Sequence, residues 1–463
     1  MKSMFEKIPE LLENKKFSDI RLILEEMNPV DIAQGFEEIE NNQQVVLFRL
    51  LPKGLAAETF TYLEVDMQEN LIKSFSDSEL KAVVDELYLD DAVDIIEEMP
   101  AGVVKRILRQ SDPGTRKEIN ELLNYPPDSA GSIMTPEFID LKKTMTVEEA
   151  FSHIRATAID KETVYTCYVT GAHRRLLGVV TIKDLLLAKY TDKIADIMED
   201  NVISAGTLED REDVARMLDK YDFLALPVVD KENRLVGIVT VDDAIDVLEE
   251  EATEDMEKMA AIISPDTDKT YLKLGAFQIA KSRFPWLLIL MLSATFTGAI
   301  ISSFEDKLRA IVVLTAFIPM LMGTGGNSGS QASVTVIRGL SLGEIEIPDI
   351  LRVIWKELRV GIICGVLLGV VNFVKILLVD HLLIGAFTGY TLPQIAMISG
   401  VICLTLAATV LVAKLVGCVL PIVAEALHLD PAVMASPFIT TIVDAISLLI
   451  YFGAANIFLG ALL

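Results

Sequence analysis

The chain has 463 residues, a formal net charge of −26 and four cysteines. Residues 271–463 hold 11 basic and 10 acidic side chains, which leaves 30 basic and 57 acidic ones in residues 1–270. An acidic body of this kind repels nucleic acid and anionic lipid and concentrates cations around itself. Cys167, Cys364, Cys403 and Cys418 have no CxxC or Cys/His spacing, which argues against structural zinc and a disulfide framework. No nucleophile–base pair or dimetal motif points to an enzyme. The opening MKSMFEKIPELLENKK lacks the apolar core of a signal peptide, so the acidic part is expected in the cytoplasm.

The first predicted elements repeat. Segments 28-NPVDIAQGFEEI, 51-LPKGLAAETFTYL, 75-FSDSELKAVVDEL and 99-MPAGVVKRILRQS each open on a helix-start signal at Pro29, Pro52, Ser76 and Pro100. Proline fits a first helical turn, where its missing N–H has no partner to lose. A period of this length predicts an all-α superhelical domain over residues 1–130.

After 126-PPD the pattern alternates strand and helix, and it occurs twice. The first copy runs from Met134 through 164-VYTCYVT and 176-LLGVVTIKDLLLA; the second runs from Met198 through 224-LALPVVD and 235-LVGIVTVDDAIDVL. Gly178, Thr181 and Asp184 recur as Gly237, Thr240 and Asp243. This arrangement resembles a tandem cystathionine-synthase-type (CBS) pair over residues 131–253, with copies at about 131–190 and 195–253. The resemblance implies an adenine nucleotide such as ATP at T-x-x-D; the alternative is that Thr and Asp only cap the following helix.

The segment 242-DDAIDVLEEEATEDMEKM-259 predicts an acidic connecting helix, which with its linker covers residues 242–280. Ile245, Leu248 and Ala252 mark its apolar face, and nine carboxylates occupy the rest. Like charges four residues apart destabilise a helix slightly unless a cation bridges them.

Residues 281–463 read as a transmembrane domain of five helices, at about 285–303, 309–337, 353–378, 392–420 and 437–460, each near the ~20 residues that cross a bilayer. Basic residues at Lys281, Arg283, Arg338, Arg352, Lys356 and Arg359 place the N-terminus in the cytoplasm and the C-terminus outside. Two spans are abnormal. In 319-PMLMGTGGNSGSQASVTVIRG-339 the glycines permit close helix packing; with Pro319 they are also expected to free carbonyls toward an ion path. In the fifth span, Asp444 lies about 10 Å from the cytoplasmic end at ~1.5 Å per residue, a depth comparable to that of Asn327. A carboxylate inside a membrane is a functional hypothesis by default, with a buried structural polar group as the alternative. Lys375, Lys414 and Asp380 lie near span ends, where snorkelling accounts for them. Carboxylate, amide, hydroxyl and carbonyl ligands suit hard cations such as Mg²⁺, with Ca²⁺ and Mn²⁺ left open.

The whole architecture (helical N-domain, CBS pair, acidic helix ending in 251-EATED-255, GTGGNSGSQ and 440-TTIVDAISLLIYF) resembles the MgtE family of bacterial magnesium channels. The resemblance implies a homodimer in a cell membrane whose second and fifth spans enclose a pore. It makes Asp444, with Asn327 and Thr440, the pore Mg²⁺ site. It also implies a regulatory Mg²⁺ set at Asp90, Asp94, Glu212, Asp222, Asp242, Asp243 and Asp246, and, at the membrane end, Glu251, Glu254, Asp255 and Asp430. Nucleotide then falls to the first CBS copy, with Thr181, Asp184 and Phe223. Ser436 departs from the family's common Asn before Pro437. Competing expectations are a proton-coupled or nucleotide-regulated carrier of another divalent cation, and a membrane-anchored sensor without transport.

Overall fold

The computed structural model describes residues 5, 7–263, 271–305, 309, 311–434 and 436–459. It divides into two units, Met1–Glu251 and Ala252–Leu463. The stretch 264-SPDTD that closes the connecting segment lies outside the described residues.

In the first unit, ten short helices among the described residues precede the first strand: α1 Ile8–Glu13, α2 Phe17–Glu25, α3 Pro29–Phe36, α4 Asn41–Phe48, α5 Lys53–Thr61, α6 Val65–Ser74, α7 Asp77–Val84, α8 Leu89–Glu98, α9 Ala101–Gln110 and α10 Pro113–Leu122. Each sequence repeat is therefore a pair of helices. Ser76 starts α7 with a reciprocal capping box to Glu79. Pro29 is in the first turn as expected, but Pro52 and Pro100 sit one place earlier, at the N-cap with extended ψ of 150° and 142°. The stack closes around Phe36, Phe48, Phe60 and Phe75, whose successive ring centroids lie 5.2–6.5 Å apart, within aromatic contact range. This core continues into Leu226, Val228, Val239 and Ala244 of the second repeat.

Each repeat builds a three-stranded sheet: β1 Ile139–Lys142, β2 Thr166–Thr170 and β3 Leu176–Thr181, then β4 Ala205–Gly206, β5 Ala225–Val229 and β6 Leu235–Thr240. In both, the first strand runs parallel to the second and the second antiparallel to the third. Both carry the same irregularity, at Val169/Thr170 and Val228/Val229. Helices α11 Val147–Thr157, α12 Ile182–Leu187, α13 Ile194–Ile197 and α14 Arg211–Tyr221 complete the pair. Bridges Val179–Glu199, Thr135–Ile238 and Arg175–Arg234 tie the copies about a pseudo-twofold axis.

Helix α15, Val241–Met259, is the acidic helix, and the boundary between the units falls inside it. Its buried face is Ala244 and Val247, with Leu248 packed beside them; Ile245, expected on that face, is 57% exposed. The i, i+3, i+4 set that meets the core is thus turned by one residue.

Among the described residues, the second unit contains five long helices: α16 Ala276–Ser303, α17 Ile318–Ser341, α18 Ile350–Lys375, α19 Leu392–Ala426 and α20 Ser436–Phe458. Segments Ala276–Ser303, Ile347–Leu383, Leu392–Ala426 and Pro431–Phe458 are long and apolar enough to cross a membrane. Helix α17 has the length, but its Gly, Ser, Asn and Gln lower its hydropathy. A 3-10 segment, Val312–Phe317, leads into it, and a π-helical turn, Ile376–Leu383, extends α18.

The glycine-rich stretch does not open the backbone. Pro319 sits in the first turn of α17, which runs unbroken past all four glycines, so close packing accounts for them. A Cβ on Gly325 would meet Ser447 Oγ at 2.9 Å, one on Gly326 would meet Thr440 Cγ2 at 2.9 Å, and one on Gly329 would meet Ile439 Cγ2 at 2.8 Å. A Cβ on Gly417 of α19 would run into the Gly329 carbonyl. Overpacking costs ~1–3 kcal/mol. Gly417→Ala should therefore lower the thermal unfolding temperature in detergent, whereas Gly323→Ala, which enters open space, should not.

Candidate ion pathway and cation-sensing centre

Asp444 lies one turn beyond Thr440 on α20, and α20 touches α17 at Thr440/Gly326, next to Asn327. Val443 and Ser447 face the α17 glycines; Asp444 is half-buried beside that seam, and Asn327 is exposed. The Thr440 hydroxyl is already used, donating to the Pro437 carbonyl at 2.8 Å. Ser436 opens α20, but its side chain lies outside the described ones.

Lys414, Lys375 and Asp380 are paired, which corrects the snorkelling expectation for them. Lys414, 6% exposed, faces Glu357 of α18 at 3.8 Å. Lys375 contacts the buried Asp380 at 2.8 Å and lies over the Phe317 ring. Asp444 has no cation among the described residues. A membrane carboxylate costs about 2.5–3.5 kcal/mol to insert, and no ion pair among the described residues offsets that.

The regulatory set separates into two kinds of site. In the first, carboxylates crowd one another and none forms an ion pair among the described residues, although the charge of Lys161 acts on Glu137. Asp90, at the start of α8, meets Glu137 and Glu162, with one ligand oxygen from each within 4.8 Å of the others. Asp90 Oδ1 and Glu162 Oε2 are buried without a hydrogen-bond partner, and Glu137 accepts the Leu89 amide at 3.4 Å. Burial, then the charges of Asp243 and Asp91, raises the Asp90 carboxyl well above its ordinary range. Burial and the Asp242 charge push Asp91 to about 6. Asp94 is raised to about 7 by desolvation and the Asp243 charge. Glu137 and Glu162 also rise to about 7, each chiefly through desolvation. Asp243 rises to about 6 through desolvation, against the Thr240 hydroxyl that holds it, and Asp246 rises through desolvation and the Asp242 charge. Unpartnered buried oxygens and an all-oxygen donor set fit a hard divalent cation. Glu137 and Glu162 carry no local sequence signal; only tertiary folding brings them to Asp90.

In the second kind of site, the acids already have a cation. Glu212 pairs with Arg216. Arg211 holds Glu250 at 3.0 Å and Glu251 at 3.1 Å. Lys258 holds Glu254 at 2.8 Å and Asp430 at 2.6 Å, while Ser341 donates to Asp255 at 3.3 Å. Asp222 joins neither kind. It ends α14 in the left-handed region, at φ 54°, and lines a cleft with Phe223.

That cleft, about 760 Å³, is bordered by Tyr165, Thr181, Lys183, Asn201, Asp222 and Phe223. Its size suits a nucleotide. Thr181 reaches it, but Asp184 is turned back into a capping box, accepting the Thr181 amide at 3.0 Å while its own amide donates to the Thr181 hydroxyl at 3.2 Å. The capping reading of T-x-x-D is therefore realised, and only Thr181 of the pair also faces the cleft.

The internal repeat gives matched positions of different charge. Val179–Glu199 and Thr135–Ile238 are equivalent bridges, so Asn201 corresponds to Glu137, and Lys183 to Asp242. The cleft holds Lys183 and Asn201 together with the acids Glu199 and Asp222, whereas the matched positions of the second copy offer two carboxylates.

Helical repeats, a repeated strand–helix pair and long apolar helices suit a membrane transporter with a cytosolic regulatory part. Family models agree: residues 318–454 match a divalent cation transporter domain, 10–128 an MgtE intracellular N domain, and 130–190 and 194–250 CBS domains. The chain is 37% identical over 458 residues to the magnesium transporter MgtE of Thermus thermophilus, covering 98% of both chains. It is 34% identical to that of Bacillus subtilis, covering 98% of this chain and 96% of the other. Among solved structures, the cytosolic domain of the Mg²⁺ channel MgtE in complex with ATP matches with 38% identity and a TM-score of 0.51, covering 52% of this chain and 99% of that one. The soluble part of a magnesium transporter matches with 32% identity and a TM-score of 0.52, covering 54% and 99%. The chain belongs to the MgtE family of magnesium transporters.

Proposed function

We propose that the protein is a Mg²⁺-selective, Mg²⁺-gated homodimeric channel for magnesium uptake, with its N-terminus and acidic domains in the cytoplasm and its C-terminus outside. The observation that carries this reading is Asp444, half-buried beside the α17–α20 seam with no cation among the described residues, while Lys375 and Lys414 in the spans are paired. A second copy would supply a second Asp444, and two carboxylates with retained water suit hydrated Mg²⁺. The Asp90 centre supports the gating half. Two like charges 4 Å apart repel by ~4 kcal/mol at an effective dielectric of 20, so the centre compacts when a divalent ion enters and loosens when it leaves.

Purified protein in liposomes tests the reading. Mg²⁺ flux should follow the membrane potential, persist without a pH gradient, and close when Mg²⁺ is raised on the side of the acidic domains. Flux that vanishes with the pH gradient would favour a proton-coupled carrier.

The cleft's size and its Lys183, Thr181 and Phe223 support binding of ATP, with Lys183 and Thr181 toward the phosphates and Phe223 stacked on the base. Base–aromatic stacking is worth ~1–3 kcal/mol. Titration calorimetry should therefore find ATP bound roughly tenfold more weakly by Phe223→Ala, and unaffected by Thr240→Ala at the matched position of the second copy.

A further inference from the structure

The membrane-end carboxylates differ from the Asp90 centre in one respect: a cation of the chain already lies among them. Lys258 is in the last turn of α15, and its Nζ contacts Glu254 of the same helix and Asp430 of the loop before α20, at 2.8 and 2.6 Å. Asp255 stands beside this pair and accepts a hydrogen bond from Ser341, the last residue of α17. The next residue, Met259, packs on Ile337 of α17 and on Ala432 of the Pro431–Met434 turn. The lysine is thus anchored by an apolar neighbour and spans two carboxylates from separate segments. Desolvation and the Asp430 charge raise Asp255, so negative charge is crowded here too, and Lys258 is what offsets it.

We propose that Lys258 is a tethered cation that takes a divalent ion's place at Glu254 and Asp430. The end of α15 then stays docked on α17 and the Pro431–Met434 turn without divalent ions, and cation sensing is left to the Asp90 centre. An ammonium offers three donors and one charge. A divalent ion entering the same carboxylates has to displace it, and this weakens the ion's apparent affinity. At Asp90, Glu137 and Glu162 no ammonium is in ion-pair contact among the described residues; Lys161 acts on Glu137 only through its field. This inference rests on the reading of the acidic set as a cation sensor.

Hydrogen exchange on the full chain in detergent, with EDTA or with millimolar Mg²⁺, tests it. In the wild type, removing Mg²⁺ should lower protection of segment 88–98 by roughly tenfold and leave segment 252–259 unchanged, since local opening follows the contacts that hold each segment. In Lys258→Met, segment 252–259 should lose roughly tenfold in EDTA and regain it with Mg²⁺, because the freed carboxylates now take the ion. Lys258→Arg should behave as wild type. Equal loss at 252–259 in wild type and Lys258→Met, or full protection of Lys258→Met in EDTA, overturns the proposal. The comparison in EDTA decides Lys258 by itself. A segment 88–98 that ignores Mg²⁺ overturns the sensor reading instead. Lys258→Gln carries the same test should the methionine variant fail to fold.

Discussion

Asp444→Asn is expected to reduce Mg²⁺ flux in proteoliposomes by at least about a hundredfold while leaving folding and assembly intact. A carboxylate and a hydrated divalent ion about 5 Å apart attract by roughly 6–7 kcal/mol at an effective dielectric near 20. A hundredfold loss corresponds to only ~2.7 kcal/mol. Asparagine keeps the shape and removes a charge that costs about 2.5–3.5 kcal/mol to insert. The variant should therefore unfold at the same temperature as the wild type or a higher one. A structural role predicts the reverse pairing, with lower stability and flux scaled to the folded fraction. Wild-type flux in Asp444→Asn would remove the pore assignment.

The second large effect concerns the Asp90 centre and its pH dependence. Unfolded, the Asp and Glu carboxyls titrate near their ordinary values; folded, Asp91 and Asp243 titrate at about 6 and Asp94, Glu137 and Glu162 at about 7. The folded state therefore binds more protons between about pH 4 and 7, and without divalent ions its stability falls as pH rises through that window. In EDTA the unfolding temperature should drop by roughly 5 °C or more between pH 5 and pH 8, given ~2–4 °C per kcal/mol for domains of this size. Millimolar Mg²⁺ should flatten the profile by binding the ionised carboxylates. The double variant Glu137→Gln/Glu162→Gln should be more stable than wild type in EDTA at pH 8, and its stabilisation by Mg²⁺ should need at least roughly tenfold more ion. A pH profile that Mg²⁺ leaves unchanged would argue that these acids are merely solvated.

Much of this was legible in the sequence because it is periodic or local. The 24-residue spacing from Pro29 to Pro100 marks the helical stack, and the recurrence of Gly178, Thr181 and Asp184 marks the CBS pair. Asp444 stands out against its apolar surroundings without any partner being known. What stayed hidden depends on side chains that meet only after folding. Glu137 and Glu162 sit in ordinary polar stretches, and only the arrival of α8 makes them part of a centre. Lys414 and Lys375 look like snorkelling residues until α18 supplies Glu357 and the π-turn supplies Asp380. The α17 glycines are compatible with an opened backbone or a tight seam, and the choice depends on what α19 and α20 bring against them. Carboxylates assigned to one regulatory set by resemblance divide in space according to where Arg211, Arg216 and Lys258 fall.

The matched irregularities at Val169/Thr170 and Val228/Val229 have a consequence for ancestry. A duplicated segment that keeps its backbone to the level of a single bulge gives selection two copies of one framework. Charge changes at matched places such as Lys183/Asp242 and Asn201/Glu137 then let the copies diverge in the ligands they favour. The two halves need not have been invented separately; both can descend from a single ancestral copy.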